Sequence, residues 1–159
     1  MAIQILILNN INLHGFVNPY IYPLLFMLLP YELSTSWVVI IGFATGLFLD
    51  NFTNTPGMHA AASATVCFIR PFLLYIIRPS SGYDQGNTEL TLSAKGIEWF
   101  IRYTIIFIFF HHFLYFIIEV WSFKFWNYTL LKILFSGLLS SFLILLLNII
   151  FKQKSTIKK

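Results

Sequence analysis

Two stretches in the second half of the chain, Ile97 to Trp121 and Tyr128 to Phe151, are apolar along almost their whole length. A helix needs about 20 such residues to cross a hydrocarbon core about 30 Å thick, and both stretches are long enough. They read as membrane-spanning helices, and whatever precedes them must fold with lipid as a solvent. The composition extends this to the whole chain. Of 159 residues, 58% are hydrophobic and 10% charged, where a soluble domain carries about 25% charged residues. Ten basic and six acidic side chains cannot give a polar shell to a protein of this size. The expected fold class is an all-α membrane protein, a polytopic bundle of five to six transmembrane helices, with residues 1–159 forming a single integral membrane domain.

The remaining spans are read from what interrupts them. Trp37 to Phe52 ends at Asp50-Asn51 and the turn-prone Asn54-Thr55-Pro56-Gly57. Met58 to Ile77 follows, with Arg70-Pro71 inside it, and a bend or break is expected at that proline. Pro19 to Leu33 contains Pro19, Pro23 and Pro30 and is expected to be short, bent or partly re-entrant. Met1 to Leu8 is too short to cross alone; counted into a first helix, it brings the total to six. The start has no basic region and no small-residue cleavage site, so insertion is expected to rely on the spans themselves.

A hydrophilic loop at about 79–96 and a basic tail at 152–159 complete the organisation. Arg78, Lys95 and the lysines at 152, 154, 158 and 159 fall on one side of such a bundle, with little beyond Lys124 opposite. By the positive-inside rule the loop and the C-terminus are cytoplasmic. The net charge of +4 is therefore a topology signal. No basic groove with interleaved aromatics is present, and no nucleic-acid partner is expected. Trp37, Trp99, Trp121 and Trp126 stand at span ends, where indoles anchor helices at the interface.

Charges within spans are the candidate functional groups, because each costs several kcal/mol unless it pairs, snorkels or meets water. Asp50 lies near the outer end of its helix. Arg70 could snorkel or bond the carbonyls that Pro71 frees. His59, Ser63 and Arg70 recur at helical spacing, so their common face is expected to be buried. Gly42 and Gly46, with Ala60, Ala61, Ala62 and Ala64 on the next helix, allow close helix approach or a partner-binding face. His112 and Glu119 share a face, whereas His111 and His112 point about 100° apart. No HExxH, CxxC or paired-carboxylate pattern supports a metal, and neither a metal nor a cofactor is expected. Ser136, Ser140 and Ser141 surround Gly137 without a GxSxG context, which suits packing better than nucleophilic catalysis. Gly82 to Gly86 lacks the lysine of a phosphate-binding loop. Cys67 is the sole cysteine and forms no internal disulfide. The chain is not expected to be an enzyme. Two rivals remain: a transporter subunit whose pocket is lined by Asp50, His59, Arg70 and His112, and an enzyme acting on a lipid-linked substrate with His112 or Asp50 as base.

Several pieces taken in order resemble the rod shape-determining MreD family: Asn9-Asn10-Ile11-Asn12-Leu13 with Pro19-Tyr20-Ile21-Tyr22, Gly46-Leu47-Phe48-Leu49-Asp50, Gly57-Met58-His59-Ala60-Ala61-Ala62-Ser63, Arg70-Pro71 and His111-His112. Met1 to Asn9 is shorter than the first membrane helix usual in that family. The resemblance implies a non-enzymatic scaffold of the bacterial cell-elongation complex in the cytoplasmic (inner) membrane. It implies contacts with MreC, the actin-like MreB, and the peptidoglycan polymerase and transpeptidase of lateral wall synthesis. It also implies a helical arrangement similar to the substrate-binding subunits of energy-coupling-factor transporters. The family supplies no catalytic residues, so Asp50, His59, Arg70 and His112 are expected to hold the bundle or a partner.

Overall fold

A computed structural model describes residues 1–8, 17–79, 82–83, 88–121 and 126–157, with side chains up to 151. The chain forms helices α1 (Ala2–Leu6), α2 (Leu24–Met27), α3 (Thr35–Thr53), α4 (Met58–Ile76), α5 (Leu92–Lys95), α6 (Ile97–Val120) and α7 (Trp126–Ile157). Among the described residues four helices, α3, α4, α6 and α7, are long and apolar enough to cross a membrane. The sequence led us to expect five or six. The shortfall lies at the N-terminal end, where α1 has five residues and α2 has four. Pro19, Pro23 and Pro30 each remove an amide donor and crowd the preceding turn, and three such interruptions in so short a stretch leave no room for a long helix between them. Pro23 is kept where it does no harm, as the N-cap of α2.

Chain reversal between α3 and α4 takes only a few residues. Asn54 ends α3 in the left-handed region at φ 53, and Gly57 opens α4 at φ 81; asparagine and glycine are the residues that adopt this backbone at least cost. The α4 helix continues through Pro71 to Ile76, so the expected break there does not occur. It packs against α3 on one side and α6 on the other, and α6 packs against α7. We call the end of the bundle holding residues 54–57 the turn end and the end holding residues 79–96 the loop end.

The segment between Val17 and Leu33 threads the interior of this bundle. Tyr20, Tyr22, Phe26 and Met27 are all buried. Its partners trace its course. The Asn18 amide donates to Ser136 Oγ at 3.0 Å and the Tyr20 amide to Ser140 Oγ at 2.8 Å. The Tyr22 hydroxyl lies 2.6 Å from His111 Nε2, and Met27 O accepts from the Tyr103 hydroxyl at 3.2 Å. The Tyr31 amide donates to Thr88 O at 2.9 Å. Along α6 this is a descent from His111 to Tyr103 and on to the loop end. Non-helical backbone survives at such a depth only where protein groups replace the missing helical bonds, as they do here.

Part of the 79–96 stretch is built into the core instead of standing in solvent. Leu90 and Leu92 are buried, and Thr91 Oγ1 caps α5 by accepting from the Ala94 amide at 3.2 Å. The Tyr83 ring stacks on Tyr31 with 4.6 Å between centroids. Burial pushes the Tyr83 phenol up to about 12, which keeps it a donor to Leu74 O at 2.8 Å. Trp99 stands in the first turn of α6 but is turned inward: it is 8% exposed, and its indole donates to Ile77 O at 3.0 Å. Trp37 and Trp121 face outward, Trp121 at 86% exposure. The polar centre of the loop (84–87), the Asn9-Asn10 motif, Lys124 and the side chains of the tail lie outside the described residues.

Candidate functional site

Asp50 sits in the last turn of α3, 5% exposed, and points into the start of α4. Its Oδ1 accepts from the His59 amide at 3.0 Å and from Thr55 Oγ1 at 2.8 Å, while Oδ2 accepts from the Ala60 amide at 3.0 Å. These amides belong to the first turn of α4, which has no intrahelical acceptors, and the positive end of the helix dipole favours a carboxylate there. Asp50 thus caps α4 from a neighbouring helix instead of reaching out to the interface. Its approach depends on the two glycines. A Cβ on Gly46 would stand 2.4 Å from the His59 carbonyl oxygen, and one on Gly42 would stand 2.5 Å from Cys67 Sγ. Both glycines therefore serve the contact between α3 and α4 within the protomer.

Arg70 is 2% exposed. Its Nε donates to the Tyr103 hydroxyl at 3.2 Å and its Nη2 to the Leu29 carbonyl. Tyr103 in turn donates to Met27 O. The carbonyl that meets this guanidinium, Leu29 O, belongs to the interrupted segment and not to the turn before Pro71. Among the described residues no carboxylate makes an ion pair with it. Asp50 and Arg70 do not meet: the nearer of the two amides that Asp50 binds, that of Ala60, lies ten residues before Arg70, about 15 Å along α4.

His59, Ser63 and Arg70 share a buried face as their spacing predicts. His112 and Glu119 likewise share the face toward α7. The Nδ1 of His112 lies 2.9 Å from Ile108 O and must carry the proton; its Nε2 then accepts from Ser140 Oγ at 3.0 Å. Ser140 Oγ accepts from the Tyr20 amide, so one directed chain runs from the interrupted segment through α7 to α6. Glu119 pairs with Lys132 at 2.6 Å, and that ammonium lies 4.7 Å from the centre of the Phe116 ring. His111 belongs to a second cluster. The Tyr22 hydroxyl lies 2.6 Å from His111 Nε2, 3.1 Å from Ser63 Oγ and 3.2 Å from His59 Nδ1. All four groups are buried. Among the described residues no three His, Cys, Asp or Glu side chains stand together as a metal site.

The sequence reading did not single out Gln4, Tyr103 or Lys132, and Tyr22 entered it only within the Pro19-Tyr20-Ile21-Tyr22 piece. Gln4 clamps the interrupted segment twice, donating to Pro19 O at 3.1 Å and accepting from the Ile21 amide at 2.8 Å. Its signal was available, since a lone glutamine in an apolar run has to find partners. Comparison with protein-family models, with curated proteins and with solved structures finds no match to this chain.

Proposed function

We propose that this chain is a non-enzymatic membrane scaffold of the bacterial cell-elongation complex, resembling the MreD family. One observation carries the reading. The motif residues Asp50, Arg70 and His112 direct their donors and acceptors inward, to α4, to the interrupted segment and to α7. What remains outward along the middle of α3 and α7 is apolar, including Ile40, Phe43 and Phe48 on α3 and Leu131, Leu138 and Phe142 on α7. A protein built this way meets partners through membrane-facing helix surfaces. The partners proposed are MreC, MreB and the transpeptidase and polymerase of lateral wall synthesis.

The reading places the chain in the bacterial inner membrane with five traverses, four helical and one made by the interrupted segment. Because α3, α4, α6 and α7 alternate in direction, the loop end and the C-terminal end of α7 fall on one side. Arg78, Lys95 and the tail lysines make that side cytoplasmic.

The test is a mild-detergent pull-down of tagged protein from rod-shaped cells. Stoichiometric recovery of a single-span coiled-coil protein of the MreC type is the expected result. A second reading, a ligand-binding transporter subunit, draws on the interrupted segment, since transporters place binding sites where helices are broken. Recovery of an ATPase pair without the coiled-coil partner would establish that reading and overturn the scaffold.

A further inference from the structure

The reversal between α3 and α4 leaves an open cavity of about 520 Å3 at the turn end, lined by Leu47, Asp50, Asn51, Asn54, Pro56 and Gly57. Small-ligand sites span about 300–1,000 Å3, so a headgroup-sized molecule has room. The wall grades from apolar to polar along α3. Phe43, Leu47 and Asn51 follow one another four residues apart and are all exposed. Side chains at that spacing are neighbours on one helix face, so a strip runs from the hydrocarbon-facing side of α3 into the cavity.

The charge in this wall has one sign. Asp50 supplies a carboxylate, and neither lysine nor arginine lines the cavity. Among the described residues no cation pairs with Asp50. The same place is the C-terminal end of α3, where a helix leaves its last carbonyls without intrahelical amides and carries the negative end of its dipole. Asp50 matches the positive end of α4, but α3 has no basic residue in its last turn to match the negative one.

The free acceptors can be counted. A carboxylate offers about four acceptor positions. The His59 amide and Thr55 Oγ1 take two on Oδ1, and the Ala60 amide takes one on Oδ2, which leaves a position on Oδ2. Asn51 donates its Nδ2 to Leu47 O at 2.9 Å, and its Oδ1 is left to accept. With the last carbonyls of α3, these oxygens call for a cation that carries several N–H donors, which is a primary ammonium. A quaternary ammonium has no N–H to give, and an anionic headgroup would face Asp50.

We propose that this cavity binds the ammonium of a phosphatidylethanolamine headgroup, with an acyl chain lying along Leu47 and Phe43. The apolar strip is what selects a lipid over a soluble amine. The phosphate, two carbons from the ammonium, is left to the exposed Asn54 carboxamide and to water. The inference rests on the helices crossing a membrane and does not depend on the scaffold reading.

Full-length protein, delipidated in mild detergent, would be offered equal amounts of phosphatidylethanolamine and phosphatidylcholine with the same acyl chains. Native mass spectrometry reads what is retained, and a severalfold excess of phosphatidylethanolamine is expected. Stepwise N-methylation of the headgroup removes one N–H at a time and should lower retention at each step, with no change to the protein. In Asn51→Lys the cavity receives an ammonium of its own at a helix end that favours a cation. That variant should melt with the native protein and retain the two lipids equally. Equal retention by the native protein would overturn the proposal, as would an excess that survives in Asn51→Lys. Displacement of the lipid by an equal concentration of water-soluble phosphoethanolamine would overturn the lipid source and assign the cavity to a free amine.

Discussion

Asp50 lies nine residues before the amide it accepts from first, so its value is set by the turn that folds it back. In Asp50→Ala the amides of His59 and Ala60 lose their acceptor while still buried. A lost cap costs about 1 kcal/mol and a stranded buried donor about 1–3 kcal/mol, so we expect about 2–3 kcal/mol of destabilisation. Asp50→Asn keeps one acceptor oxygen and should recover about half of that. Thermal unfolding in detergent measures both. If the alanine variant melts with the native protein, the capping role is lost. Arg70 follows different logic. It is held without a carboxylate by Leu29 O of the interrupted segment and by the Tyr103 hydroxyl, a compensation of the kind that membrane proteins use for buried charge.

At the scale of elements, close packing of α3 on α4 is the feature most sensitive to single atoms. The contact at Gly46 is with backbone, which cannot move aside, whereas the contact at Gly42 is mainly with the Cys67 side chain. Gly46→Ala should therefore cost more than Gly42→Ala, about 3 kcal/mol against about 1 kcal/mol. Cys67→Ala should relieve the second and leave the first unchanged, a coupling that a double-mutant cycle in detergent reads directly. These helices were legible from the sequence because apolar runs end where polar clusters begin, and the buried face of His59, Ser63 and Arg70 followed from spacing alone. The prolines announced the interruption between Pro19 and Leu33 but not its path. Which α7 residues meet His112 and Glu119 was not legible either. Ser140 and Lys132 are set by the register between two helices, and register arises only when both faces pack.

For the molecule as a whole, the arrangement predicts sidedness. Cys67 is fully buried, so the native chain should stay unlabelled by a membrane-impermeant maleimide in sealed cells. Single cysteines at Asn54 and Ser93, both exposed, lie at the turn end and the loop end. Labelling of Asn54→Cys from outside and of Ser93→Cys only after the membrane is opened is the expected pattern; labelling of both from the same side would exclude this topology. The threaded segment has a further consequence, in time instead of space. The amides of Asn18 and Tyr20 are satisfied by Ser136 and Ser140, 118 and 120 residues downstream, so these two groups have no protein partner until α7 has emerged. Bringing such distant groups together is slow, because the chain loses entropy before any contact rewards it. A segment made before α7 is therefore settled only after it. Maturation of this part of the fold waits on the arrival of α7.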